Sequence, residues 1–66
     1  MYPNLRAEIA RTETKLKDLA DYLGIEPQTL SLKLSGKIKI TFEEAVMIKE
    51  FLGVKTPLEI LFAKGR

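Results

Sequence analysis

Lys33, Lys37 and Lys39 fall in a stretch, residues 26–40, whose one acidic side chain is Glu26. Residues 1–25 and 41–66 each balance four basic against four acidic side chains, so this stretch carries the whole net charge of +2. Ammonium groups concentrated in this way suit an anionic partner. They suit a solvated, lysine-bearing loop equally well, and charge alone does not separate the two. Other reactive chemistry is scarce. The chain has no cysteine and no histidine, so disulfides, thiolate zinc sites and the commonest general base are all missing. Glu43 and Glu44 are adjacent carboxylates, but their place just after Thr41 suits a helix start better than acid–base work. With neither a base nor a nucleophile arrangement, the chain is not expected to be an enzyme, to hold a metal or cofactor, or to take a small-molecule substrate.

The elements that must position those lysines are helical. Glycines and prolines divide the chain into five short segments, with no internal repeat and no linker. The first runs from about Pro3 or Leu5 to Arg11, with Leu5 and Ile9 as a narrow apolar stripe and Asn4 as a competing N-cap to Pro3 at the first turn. Leu16, Leu19, Ala20 and Leu23 recur at i, i+3, i+4 and i+7, which predicts an amphipathic helix that Gly24 stops. A third helix opens at Pro27 and ends at Ser35-Gly36, with Leu30 and Leu34 inward. Thr41 and Glu44 form a predicted capping box for a fourth helix, with Ala45, Ile48 and Leu52 inside and Gly53 at its end. Thr56-Pro57-Leu58-Glu59 reads as a second box, before a fifth helix with Leu58, Leu61 and Phe62 on one face. Lys37-Ile38-Lys39-Ile40 alternates but is too short to make a sheet. The expected fold is all-α, a single domain over residues 1–66.

At this length a domain is near the lower limit for unaided folding, burying only about 60% of its unfolded surface. No stretch approaches the roughly 20 apolar residues of a membrane span. Met1-Tyr2-Pro3-Asn4 lacks the basic and apolar regions of a signal peptide. The expectation is a soluble, cytoplasmic protein with no membrane partner, and the absence of cysteine fits a reducing compartment.

The most informative stretch is residues 16–34, LKDLADYLGIEPQTLSLKL. Two helices of similar length flank a turn at Gly24; Ala20 lies four residues before that glycine, and Ile25 and Leu30 follow one and six after it. A small Ala20 permits close approach, Gly24 a sharp turn, and Leu19, Ile25 and Leu30 a wedge that sets a wide crossing angle. In this pattern, and in KDLADYLGI, QTLSLKLSGK, FEEAVMIKEFLGV and PLEILF, the chain resembles the lambda-repressor-like Cro/cI (Xre-type) helix-turn-helix domains of phage repressors and bacterial regulators.

The resemblance implies five helices, the third lying in a DNA major groove, and two-fold dimers on pseudo-palindromic operators, without a cofactor. It implies a sequence-specific transcriptional regulator, a Cro-like or small repressor. The family's base-reading positions fall on Pro27, Gln28 and Leu32, with Ser31 beside them. Its phosphate-contacting positions fall near Lys15, Leu16, Ser35 and Lys37, and the charge pattern adds Lys33 and Lys39. Chemistry fits part of this. Glutamine pairs bidentately with adenine N6 and N7, and leucine packs on a thymine methyl, whereas lysines on phosphates give affinity without base information. The chain departs from the family at Glu26, where an uncharged N-cap is usual, and at Glu13 and Lys15, where a glycine and a serine or threonine cap are common. It also has no arginine in the third segment, so the commonest guanine contact is missing.

Apolar residues on faces expected to be wet include Leu32, Ile38, Met47 and Ile60. The family's dimer contacts lie on the terminal helix, which points to Leu58, Ile60 and Leu61 as a homodimer interface; monomers that pair only on DNA are the alternative. Leu32, Met47 and Ile60 also suit a second function class, a protein-interaction module on the same fold, such as an antirepressor.

Overall fold

The predicted punctuation is realised as five helices: α1 Pro3–Arg11, α2 Leu16–Leu23, α3 Pro27–Leu34, α4 Phe42–Leu52 and α5 Leu58–Leu61. The structure is a computed structural model and describes residues 2–64. Met1, Gly65 and Arg66, the ends of the domain expected over residues 1–66, lie outside the described residues. All regular structure among the described residues is helical, and residues 37–40 form no strand.

Local chemistry sets most helix limits. The backbone turns left-handed at Gly24 (φ +74°), where the absence of a Cβ removes the steric cost, and the N–H of Ile25 donates back to the Ala20 carbonyl at 3.0 Å. At the start of α4 the Thr41 hydroxyl accepts from the Glu44 N–H at 3.1 Å, and the Glu44 carboxylate accepts from the Thr41 N–H at 3.0 Å. Such a cap contributes about 1 kcal/mol. The second predicted box does not form. Pro57, with ψ 151°, stands outside α5 as its N-cap, which leaves Thr56 one residue too far back, and no side chain caps that helix. Asn4 is not a cap either: α1 begins at Pro3, and the Asn4 amide instead donates to the Ile60 carbonyl at 2.9 Å.

Every helix sends apolar side chains to one core. Leu5, Leu19, Leu30, Leu34, Ile48 and Leu61 are fully buried, joined by Ala20, Leu52 and Val54. Burying each such leucine or isoleucine is worth roughly 1.5–3 kcal/mol. α2 packs against both α3 and α4, and α5 against α1 and α4. Tyr2, which spacing did not single out, is buried and meets Phe62 edge-on, with ring centroids 5.7 Å apart and planes at 73°. Leu16 departs from its expected inward place and is 38% exposed. As the first residue of α2 it lies beyond the core's edge, over a shallow groove with Arg6, Ile9 and Ala10.

Candidate nucleic-acid interface

α3 presents two distinct sides. Leu30, Lys33 and Leu34 are buried, whereas Pro27, Gln28, Ser31 and Leu32 are exposed, Leu32 by 40%. Gln28 stands three residues before Ser31 and four before Leu32, so the three share one helical face. The sequence therefore placed these candidate base-reading residues together, and the fold leaves them open to solvent. α2 holds the opposite side: fully buried Ala20 allows close approach, and partly buried Leu23 and Ile25 pack at the turn. A helix about 10–12 Å across with one such ridge of amide, hydroxyl and apolar groups matches a DNA major groove about 12 Å wide.

A loop wraps the end of α3. The Leu32 carbonyl accepts from the Ser35 hydroxyl at 2.9 Å and from the N–H groups of Lys37 at 3.0 Å and Ile38 at 3.4 Å. Gly36 turns the chain with φ +89°. Lys37 and Lys39 emerge from this loop exposed. Ser35 fits its expected role less well, because it is half-buried and its hydroxyl proton is already engaged by Leu32. Lys15 is exposed at the N-cap of α2, which no side chain caps, so the first N–H groups of that helix face outward with its positive dipole end. Glu26, exposed at the N-cap of α3, likewise makes no side-chain cap and sets one carboxylate beside the ridge.

Lys33 is a correction. Its side chain turns inward, is 11% exposed, and donates to the Lys39 carbonyl at 3.1 Å and to Glu44 Oε1 at 3.0 Å. An ammonium held by a carboxylate and a carbonyl is not offered to a phosphate. The spacing carried the signal, since Lys33 follows Leu30 by three residues and so shares its inward face, but its partner lies eleven residues along the chain. Burial pushes the Glu44 carboxyl's pKa up. Hydrogen bonds from Thr41 and Lys33, together with the Lys33 charge, outweigh that and hold it below the ordinary carboxylate value. Of the candidate phosphate contacts, the charges left exposed are Lys15, Lys37 and Lys39, with Glu26 near them in sequence.

The candidate dimer residues separate. Ile60 is 51% exposed, Leu58 is half-buried, and Leu61 has no exposed surface at all. Leu61 is therefore a core residue and not an interface one, because the short α5 must spend its inner side on closing the core against α1 and α4. Met47, expected outside, is half-buried. The most exposed large apolar side chain among the described residues is one that sequence reasoning passed over: Phe42, 74% exposed, which borders a shallow depression with Glu43, Val46 and Met47. At about 100° per residue, Phe42 and Val46 both fall on the side of α4 away from Ile48, and that was the available signal. No cluster of potential metal ligands occurs among the described residues, and no helix is long and apolar enough to cross a membrane. Comparison of the chain with protein-family models, curated proteins and solved structures gives no match.

Proposed function

We propose that this chain is a helix-turn-helix domain of the lambda-repressor-like kind that binds double-stranded DNA sequence-specifically as a homodimer and regulates transcription, as a Cro-like or small repressor does. In this reading α3 enters the major groove, Gln28 reads adenine, Leu32 packs on a thymine methyl, and Pro27 and Ser31 lie against neighbouring base edges. Lys15, Lys37 and Lys39 meet phosphates on either side. The observation that carries the reading is the α3 ridge: three groups suited to base edges, exposed together on a helix whose other side is wholly engaged by the core. Two copies related by a two-fold would set their α3 helices about 34–36 Å apart, one turn of the duplex.

Fluorescence anisotropy on pooled random duplexes across a salt series tests DNA binding, and in-vitro selection of the bound duplexes reports base preference and half-site spacing. Gln28→Ala should weaken binding by about 1–3 kcal/mol and relax preference at one base position, whereas Lys37→Ala should weaken all sequences alike and reduce the salt slope by about 1. If Gln28→Ala leaves both affinity and preference untouched, α3 does not dock in this way.

Phe42 favours a second reading, a protein-interaction module such as an antirepressor. An aromatic ring 74% exposed beside Val46 and Met47 is costly to leave in water unless a partner covers it. Absence of any salt-dependent DNA binding at low ionic strength favours this module over the regulator.

A further inference from the structure

The one buried ammonium among the described residues belongs to the lysine that the charge pattern had assigned to phosphate contact. Lys33 Nζ reaches across two elements at once: the Lys39 carbonyl in the loop after α3, at 3.1 Å, and Glu44 Oε1 in the first turn of α4, at 3.0 Å. That same Glu44 oxygen also accepts the Thr41 N–H at 3.0 Å. The loop is thus fastened at both ends. Its first half hangs on the Leu32 carbonyl through the Lys37 and Ile38 N–H groups, and its second half hangs on Lys33 and on the α4 cap. Leu32 lies on the exposed ridge and Lys33 on the buried side, one residue apart.

We propose that Lys33 is a positioning residue: by tying residues 39–41 to α3 it fixes where Lys37 and Lys39 stand relative to Gln28 and Leu32, so that phosphate and base contacts are made in one register. This inference rests on the DNA-binding reading above. Lys33 itself touches no nucleic acid. Without its ammonium the second half of the loop keeps only the α4 cap at Thr41 and loses its tie at the Lys39 carbonyl, so part of the backbone ordering must be completed at the moment of binding.

The test is anisotropy on the same pooled random duplexes across a salt series, with the full chain as wild type, Lys33→Met, Lys33→Arg and Lys37→Ala. Because Lys33→Met leaves the Glu44 carboxylate without its partner, the double variant Lys33→Met/Glu44→Gln keeps the experiment interpretable if the single variant unfolds. Lys33→Met and the double variant should bind about tenfold more weakly at every salt concentration, with the salt slope unchanged because the same phosphates are still neutralised. Lys37→Ala should instead lower the slope by about 0.9, and Lys33→Arg should restore affinity. The Lys37 and Ile38 amides should exchange faster in both Lys33→Met chains while amides of α2 stay protected. A slope reduced by about 0.9 in Lys33→Met would identify Lys33 as a phosphate contact and overturn the proposal. Wild-type affinity and amide protection in a folded Lys33→Met chain would overturn it as well. Failure of the wild-type chain to bind any duplex at low salt is a different result: it sinks the DNA-binding reading, and the positioning role with it.

Discussion

Glu13 is the only residue other than glycine with positive φ among the described residues, at +54°. It follows the C-cap of α1, its N–H donates to the Ala10 carbonyl at 3.1 Å, and the next N–H, that of Thr14, donates to Ile9 at 3.0 Å. This is the left-handed helix end that glycine accepts without a Cβ clash, whereas a side chain there costs on the order of 1–3 kcal/mol. Glycine gives part of that back through the freer unfolded chain, about 0.4–1 kcal/mol. Glu13→Gly should therefore raise stability by about 1 kcal/mol, which thermal unfolding reads as a Tm higher by about 4–8 °C; an unchanged or lower Tm would show that the carboxylate does something else there. The family resemblance had marked this position as one where glycine is common, and the backbone angle supplies the physical reason. Glu26 is the residue-scale counterpart at the interface. Its carboxylate makes no cap; under the proposed docking of α3 it would stand near phosphates, and Glu26→Gln should then tighten binding several-fold at low salt by removing about 1 kcal/mol of repulsion.

At the scale of elements, the α3–loop–α4 unit is held by one charged cluster, and its strength depends on pH. Glu44 has its pKa depressed in the fold, so its contribution is fully present above the unfolded carboxylate value and disappears as pH falls through the lower folded value. The difference in Tm between wild type and Glu44→Gln should be constant near neutrality and shrink in the acid range, below the ordinary carboxylate pKa. A difference that stays flat down to the most acid folded conditions would mean that the Lys33–Glu44 pair contributes nothing beyond its shape. Sequence spacing specified the Thr41–Glu44 half of this cluster, because cap and carboxylate are three residues apart. It did not specify the Lys33 half, which needs α3 and α4 to be brought together first.

The whole molecule is closed by contacts between its two ends. Tyr2 packs on Phe62, and Asn4 holds the Ile60 carbonyl, across 56 residues of sequence. Tyr2→Ala should cost about 3 kcal/mol, from the lost buried ring and its edge-on partner. That is a large share of the roughly 3–10 kcal/mol a chain of this length holds, so the variant should be partly unfolded in a denaturant titration well before wild type. The same closure uses up Leu61 and leaves Ile60 facing out. If copies associate through α5, sedimentation of the wild type should report twice the 7.5 kDa chain mass, and Ile60→Glu should return it to one chain with the fold intact. A wild type that sediments as a monomer would rule out self-association through α5 and leave, of the proposed readings, only pairing on DNA.

Helix number, most helix limits, the turn at Gly24 and the face of α3 that carries Gln28, Ser31 and Leu32 were legible from residues three or four apart; the start of α5 was not. Periodicity, glycine ends and the Thr41 cap are interactions within a single turn, so the order of residues is enough to specify them. What the tertiary structure alone decided is the fate of side chains whose partners lie far along the chain. It turned Lys33 from a free charge into a strut against Glu44, closed Leu61 into the core against α1 and α4, and paired Tyr2 with Phe62. Spacing gives the face such a group takes, as it does for Lys33 three residues after Leu30, but what the group meets there is brought by the packed helices, and that neighbour does not exist until the chain has folded.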